Sequence, residues 1–263
     1  MTVTGDAGTP LRVASFNLRS GLAVDGMHSW PLRRRAAVAA IASLGADLVG
    51  LQEVHGFQQR SLLRQLRVYA AVGAPRGDGR RRGERCPVLY RSVRFQLDEQ
   101  VTRWFSDTPD VPGSLGWGNE VPRIATLAEL RERHSGRRFG LANAHWDGAS
   151  AAARLRSAEA LLSWLDPALP WIVTGDLNAT ADDPAVHLLI RGGLRDALAA
   201  LPARGEGVAT HHQFRGVTSG TRIDYVLVSE QWEIVEAAVE HPRPHGRLAS
   251  DHWPVTATLT LHT

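Results

Sequence analysis

The sequence predicts a single α/β domain, and three observations carry that prediction. Short apolar runs that read as strands are interleaved with helical patterns from Leu11 to Leu261. No linker, repeat or low-complexity tract divides the 263 residues. The hydrophobic content of 43% is enough for a large core. Residues 1–10 are small and polar and read as a flexible N-terminus, ahead of one domain over 11–263.

Leu11 to Asn17 alternates and reads as a strand that ends on Asn17. After a loop carrying Asp25, His28 and Trp30, Pro31 opens a helix to about Leu44, with Val38, Ile41 and Leu44 at helical spacing. Asp47 to Val54 holds a buried strand, Leu48-Val49-Gly50-Leu51, and delivers Gln52 and Glu53. Gly56 to Arg67 is expected to be helical, with Leu62, Leu63 and Leu66 inward. The Gly/Arg-rich stretch from Gly73 to Arg85 reads equally as a solvated loop or as a lip over a substrate. Val88–Tyr90, Phe95–Leu97 and Val101–Phe105 read as successive strands, and Ser106 to Pro122 as a long turn-rich connection. Ile124–Arg131 and Arg138–Trp146 form a hairpin around Ser135-Gly136, and its second strand delivers Asn143, His145 and Asp147. Ala149–Leu165 is an amphipathic helix. Trp171 to Val173 is a short buried strand ended by Gly175, and a helix runs near Pro184–Ile190. Thr221–Ser229, Trp232–Val239 and Trp253–Leu261 complete the strands.

Composition excludes several functions. All 30 positive side chains are arginine, so neither a Schiff-base lysine nor a P-loop lysine exists. Cys86 is the sole cysteine, which rules out an intramolecular disulfide and a cysteine zinc site. No apolar run approaches the ~20 residues of a membrane span. The N-terminus lacks the basic-then-apolar pattern of a signal peptide. A cytoplasmic monomer that meets no membrane is the expectation. The net charge of +3 tolerates a phosphorylated substrate but is too small by itself to argue for duplex binding.

The polar residues at the strand ends point to chemistry. Asp176 and Asn178 follow the Trp171 strand two positions apart, and in an extended segment such residues face the same way. Asn17, Glu53, His145 with Asp147, Asp224, and Ser250-Asp251-His252 have the same design. Each has a plainer alternative: a turn residue, a surface carboxylate, a core histidine. Asp224 lies inside an apolar strand, and a buried carboxylate needs a partner, which Arg222 or His252 could supply. Carboxylates and amides without cysteine suit a hard cation, Mg²⁺ or Mn²⁺.

Phe16-Asn17, Leu51-Gln52-Glu53-Val54, Asn143-Ala144-His145, Gly175-Asp176-Leu177-Asn178-Ala179, Arg222-Ile223-Asp224-Tyr225 and Ser250-Asp251-His252 occur in that order. The set resembles the endonuclease/exonuclease/phosphatase superfamily, the DNase I-like proteins, over nearly the whole chain. Ser29-Trp30 with Arg33-Arg34, Gly77-Asp78-Gly79, Gly83-Glu84, Trp104-Phe105-Ser106 and Pro122-Arg123 resemble a bacterial branch near the deadenylase-like members, which includes sugar-phosphate phosphatases. The resemblance implies a four-layer α/β/β/α sandwich, two mixed β-sheets packed face to face with helices outside. It implies Glu53 as the principal metal ligand with Asn17 beside it and Asp251 as a further metal-side or water-side carboxylate. It also implies Asp176 and Asn178 on the attacking water and the phosphate, His252 as the essential histidine partnered by Asp224, and His145 as a second histidine. Arg19 departs from the abasic endonucleases, which usually carry an acidic residue there.

The expected activity is phosphoester hydrolysis dependent on Mg²⁺ or Mn²⁺, on a small phosphorylated substrate. Arg123, Arg154, His212 and Arg222 are its candidate substrate-binding residues, and the Gly77–Arg85 arginines a possible phosphate clamp. The alternative is a nuclease acting on RNA or single-stranded DNA, for which Trp30, Trp104, Trp117 and Trp146 would be stacking platforms.

Overall fold

A computed structural model describes residues 9–201 and 208–262. The expected N-terminal flexibility lies almost wholly outside the described residues. Among the described residues, twelve strands form two six-stranded sheets. The first contains β1 (Leu11–Asn17), β2 (Leu48–Gln52), β3 (Tyr69–Val72), β4 (Val88–Arg91), β11 (Trp232–Val239) and β12 (Val255–Leu261), in the order β11-β12-β1-β2-β4-β3. The second contains β5 (Phe95–Trp104), β6 (Ile124–Glu132), β7 (Arg138–His145), β8 (Trp171–Asp176), β9 (Arg195–Asp196) and β10 (Asp224–Val228), in the order β5-β6-β7-β8-β10-β9. Each sheet has one parallel pair at its centre, β1 with β2 and β7 with β8. The remaining pairings are antiparallel.

The strands are apolar on both faces because both faces are covered. Val13, Leu48, Leu141 and Ile172 point between the sheets. Their neighbours Ala14 and Val49 meet α1 (Trp30–Ser43) and α2 (Gly56–Gln65) through Ala37, Ala40, Ile41 and Leu62. Ala142 and Val173 meet α3 (Ala151–Trp164) and α4 (Pro184–Arg191) through Ala158, Leu161, Val186 and Leu189. The result is the expected four-layer α/β/β/α sandwich.

Some expectations change. Phe95–Leu97 and Val101–Phe105 are one strand, β5, with a bulge between Leu97 and Glu99. The charged stretch that breaks the apolar pattern is accommodated because Asp98 pairs with Arg131 and Arg138. β3 and β9 were not legible, being a short edge strand and a two-residue strand. β8 runs through Gly175 to Asp176 rather than stopping at the glycine. β10 begins only at Asp224, because the preceding backbone bonds a loop instead: Ile223 N–H donates to Thr210 Oγ1 and Thr210 N–H to the Thr221 carbonyl.

Near one end of the sandwich the interface between the sheets turns polar. Asn143 Oδ1 accepts from Gln52 Nε2 at 2.7 Å and from Thr174 Oγ1 at 3.1 Å, while its Nδ2 donates to the Leu51 and Pro87 carbonyls. Asn143 therefore ties the two sheets together beneath the strand ends. Gly50 makes this approach possible, since a Cβ there would stand 2.6 Å from Asn143 Oδ1 and closer still to Thr174 Oγ1.

Candidate active site

The cross-strand register sets three residues in a row. His145 on β7 is opposite Asp176 on β8, and Asp176 is opposite Asp224 on β10. From the other sheet come Asn17, the last residue of β1, and Glu53, just past β2. The segment before β12 adds Asp251 and His252. Its backbone is held by Arg33, whose guanidinium donates to the Ala249 and Leu18 carbonyls. Glu53, His145, Asp176, Asp251 and His252 line one open cavity of about 340 Å³, while Asn17 and Asp224 lie outside its lining and hydrogen-bond to Asp176 and His252.

Backbone conformation aims several of these groups. Arg19, Glu53 and Asn178 have φ of 56°, 59° and 48°, the left-handed region that side chains other than glycine and Asn/Asp seldom adopt. Asn178 thus reaches the cavity through a left-handed turn, not through the extended i, i+2 geometry expected. Its backbone N–H donates to Asp176 Oδ1 at 3.0 Å, and its Nδ2 to the Trp146 carbonyl.

Asp176 Oδ2 is the hub. It accepts from Asn17 Nδ2 at 2.8 Å and lies 3.7 Å from His145 Nε2 and 3.9 Å from His252 Nε2. Burial and the neighbouring Asp224 raise its pKa to about 7, against the pull of His252. His252 Nδ1 sits 2.8 Å from Asp224 Oδ2. Burial works against its charge, but Asp224 and then Asp176 outweigh that and push its pKa up to about 10. Nδ1–H therefore donates to Asp224 and Nε2 turns toward Asp176. His145 goes the other way: burial and Arg123 hold it well below its ordinary pKa. Its Nε2 accepts from Arg123 Nη1 at 3.2 Å, so the ring is neutral.

Glu53 Oε1 accepts from Asn17 Nδ2 at 3.0 Å and Oε2 from the Ser20 backbone N–H at 2.8 Å. Burial opposes its ionisation, yet the Asn17 amide, the charge of His252 and the Ser20 backbone N–H hold its pKa below the ordinary carboxylate range. Asn17 bridges the two carboxylates with its amide nitrogen while its Oδ1 accepts from the Arg19 backbone. Donor atoms of Glu53, His145 and Asp176 lie within 4.8 Å of one another, as do those of His211, Asp251 and His252. An ionised carboxylate beside a second carboxylate, with imidazole and no thiolate, fits a hard divalent cation.

The substrate-binding candidates divide. Arg123 lines the cavity, held by Asp147 Oδ2 at 3.5 Å. Arg154 is instead paired with Asp183 at 2.9 Å, and Arg222 with Asp196 while stacked on Tyr225. Neither lines the cavity. His212 is buried against Trp253, its Nδ1 accepting from the Gly216 backbone. Its neighbour His211 takes the cavity position, 4.6 Å from the His252 ring, because successive extended residues point to opposite sides. Arg80, Arg81 and Arg82 are exposed at a loop tip that Asp78 Oδ1 pins through three backbone N–H groups, and they do not line the cavity. Arg76 and Glu84, at the foot of that loop, do. Ser20, Arg76 and His211 carried no sequence signal. Glu84 stood within the Gly83-Glu84 motif without a role.

A sequence model of the Endonuclease/Exonuclease/phosphatase family matches residues 14–252. A family protein from Bacteroides thetaiotaomicron superposes with a TM-score of 0.90 at 28% identity, covering 97% of this chain and 99% of that one. The mannosyl-6-phosphatase of Bacteroides thetaiotaomicron VPI-5482 superposes at 0.87 and 28% identity, covering 95% and 99%. The 3'-5'-exoribonuclease subunit of the CCR4-Not complex of Mycosarcoma maydis is 24% identical over 85% of this chain and 39% of its own length. The chain spans about half or less of the length of the curated relatives it matches.

Proposed function

The chain belongs to the endonuclease/exonuclease/phosphatase family, and from that premise we propose that it is a divalent-metal-dependent phosphoesterase acting on a small phosphorylated molecule. The observation that carries the reading is the convergence of Glu53, His145, Asp176, Asn178 and His252 on one cavity, with Asp224 behind His252. Glu53, with Asn17 beside it and Asp251 nearby, would hold Mg²⁺ or Mn²⁺. Such a cation supplies charge neutralisation on the phosphate oxygens.

The chain's own residues supply the rest. Asp176 is oriented by Asn17 and by the Asn178 backbone, and it takes the proton of the water whose oxygen attacks phosphorus. Asn178 and Arg123 donate to the phosphate. His252, its ring held by Asp224, donates a hydrogen bond from Nε2 to a phosphate oxygen; as the ester P–O bond breaks, the leaving oxygen takes a proton from solvent water and departs as the alcohol, while Asp176 returns to solvent the proton it took.

The small-substrate reading is supported by what the cavity lacks. Of the proposed stacking platforms, Trp30, Trp104 and Trp146 are core residues, and Trp117 is engaged by Arg156 and Asp107. None lines the cavity, so a strand of bases finds no aromatic stack there. Similarity to a mannosyl-6-phosphatase over almost the full length of both chains points the same way. No described helix is long and apolar enough to cross a membrane, and a monomer remains the expectation. The test is phosphate release from a panel of phosphomonoesters beside cleavage of labelled RNA and single-stranded DNA. Release from small esters with little strand cleavage is expected. Cleavage of the strands alone transfers the assignment to a nuclease.

A further inference from the structure

One wall of the cavity has no part in the hydrolytic machinery. Arg76 and Glu84 stand there, beside Glu53 and His145 and away from Asp251 and His252. Arg76 Nη1 donates to Glu84 Oε2 at 2.9 Å, and their side chains are only 19% and 16% exposed, so the pair is held in the wall rather than loose on the surface.

Its position is fixed from below. Arg76 N–H donates to the Glu84 carbonyl, and Arg85 and Val54 exchange backbone hydrogen bonds, which anchors the foot of the loop one residue from Glu53. Trp104 Nε1 donates to the Arg76 carbonyl at 2.7 Å. His55 extends the polar wall. Its Nε2 lies 3.0 Å from Ser20 Oγ and 3.9 Å from Glu84 Oε1. Ser20 in turn lines the cavity.

The chemistry of this wall selects what can lie against it. A second phosphate would meet the Glu84 carboxylate, and the charge of Arg76 is already compensated. An apolar group would strip water from an ion pair without replacing its hydrogen bonds. Neutral hydroxyl groups satisfy both partners, donating to Glu84 and accepting from the guanidinium. We propose that Arg76 and Glu84 form the subsite that reads the hydroxyl groups of the leaving alcohol, so that the substrate is the phosphomonoester of a polyhydroxylated, sugar-like alcohol. This rests on the phosphoesterase reading above.

The experiment compares kcat/KM for a hexose 6-phosphate with that for n-hexyl phosphate, which has the same ester and no hydroxyls. Wild type, Glu84→Gln, Arg76→Gln and Glu84→Asp are measured. The wild type is expected to prefer the hexose ester, and each variant to lower the ratio of the two constants by roughly tenfold or more, mainly through KM for the sugar. Glu84→Asp, which keeps the charge pair but withdraws the carboxylate, carries the test if the glutamine variants fold poorly. An unchanged ratio in folded variants, or equal losses on both esters, overturns the subsite while leaving the phosphoesterase reading intact. Absence of phosphate release from either ester by the wild type, with RNA cleaved, overturns both.

Discussion

Asp176 faces Asp224 across the β8–β10 ladder, and the imidazole of His252 lies between them, 2.8 Å from one carboxylate and 3.9 Å from the other. Two buried carboxylates in register repel each other, and the imidazolium offsets that repulsion. The long side of this triad faces the cavity. His252→Ala is therefore expected to lower kcat by roughly 10²-fold or more with the fold retained. Asp224→Asn should lower it as well, by removing the carboxylate that keeps the ring charged and in place. Single-turnover kinetics beside a circular-dichroism melt checks both, and wild-type kcat in folded His252→Ala removes the histidine from the mechanism.

Cation removal gives a second prediction. The carboxylates of Glu53 and Asp176 are drawn together around one Asn17 amide. EDTA is expected to abolish phosphoester hydrolysis, and Mg²⁺ or Mn²⁺ to restore it and raise the Tm, since an ion bound only by the folded state stabilises that state. Glu53→Gln should lose both responses. Full activity after exhaustive chelation is the contrary result.

The glycine at position 50 tests the contact between the sheets. A methyl there collides with Thr174 and Asn143, the residues that join the sheets under the site. Gly50→Ala should cost about 1–3 kcal/mol, the usual range for overpacking. Denaturant midpoints of the two proteins decide it, and equal midpoints mean that the sheets separate without cost.

Ionic strength separates compact from extended substrates. A ligand whose phosphate touches only Arg123 and the cation neutralises few charges. KM for the best small ester should change less than about tenfold between about 50 and 200 mM salt, where many phosphate contacts would lose ~10³ or more. Arg81→Ala with Arg82→Ala should leave KM nearly unmoved, because those side chains stand outside the cavity. A steep slope on an oligonucleotide substrate contradicts the reading.

His212 supplies a pH dependence. Burial first, then the nearby His252, lowers its pKa from 6.5 to about 4. The unfolded chain then binds the extra proton between those values, so stability is lost as pH falls from 6.5 through 4. His212→Asn keeps an acceptor for the Gly216 N–H and removes the titration. It should be less stable at pH 8 for want of the Trp253 contact, yet lose less on acidification. Thermal melts from pH 8 to 4 read this directly, and parallel curves would falsify it.

The sequence by itself determined the α/β class, most strand and helix positions, and the residues Glu53, His145, Asp176, Asn178, Asp224, Asp251 and His252. Local physics suffices to mark those as candidates, because a carboxylate, amide or imidazole at either end of an apolar run is exposed where the strand enters or leaves the sheet. Tertiary structure decided which groups meet. The register that aligns His145, Asp176 and Asp224, and the left-handed backbone at Glu53 and Asn178, depend on partners far along the chain. The same holds for the side chains that sequence misplaced. Arg154 and Arg222 are consumed by Asp183 and Asp196, and His211 displaces His212 by the alternation of one extended segment. Arg76 and Glu84 face the cavity only because Val54 and Arg85 pin their loop beside the strand ends that carry the candidate site. A charge on a loop carries no mark of its partner in the sequence, and its partner is what settles whether it binds substrate or holds the fold.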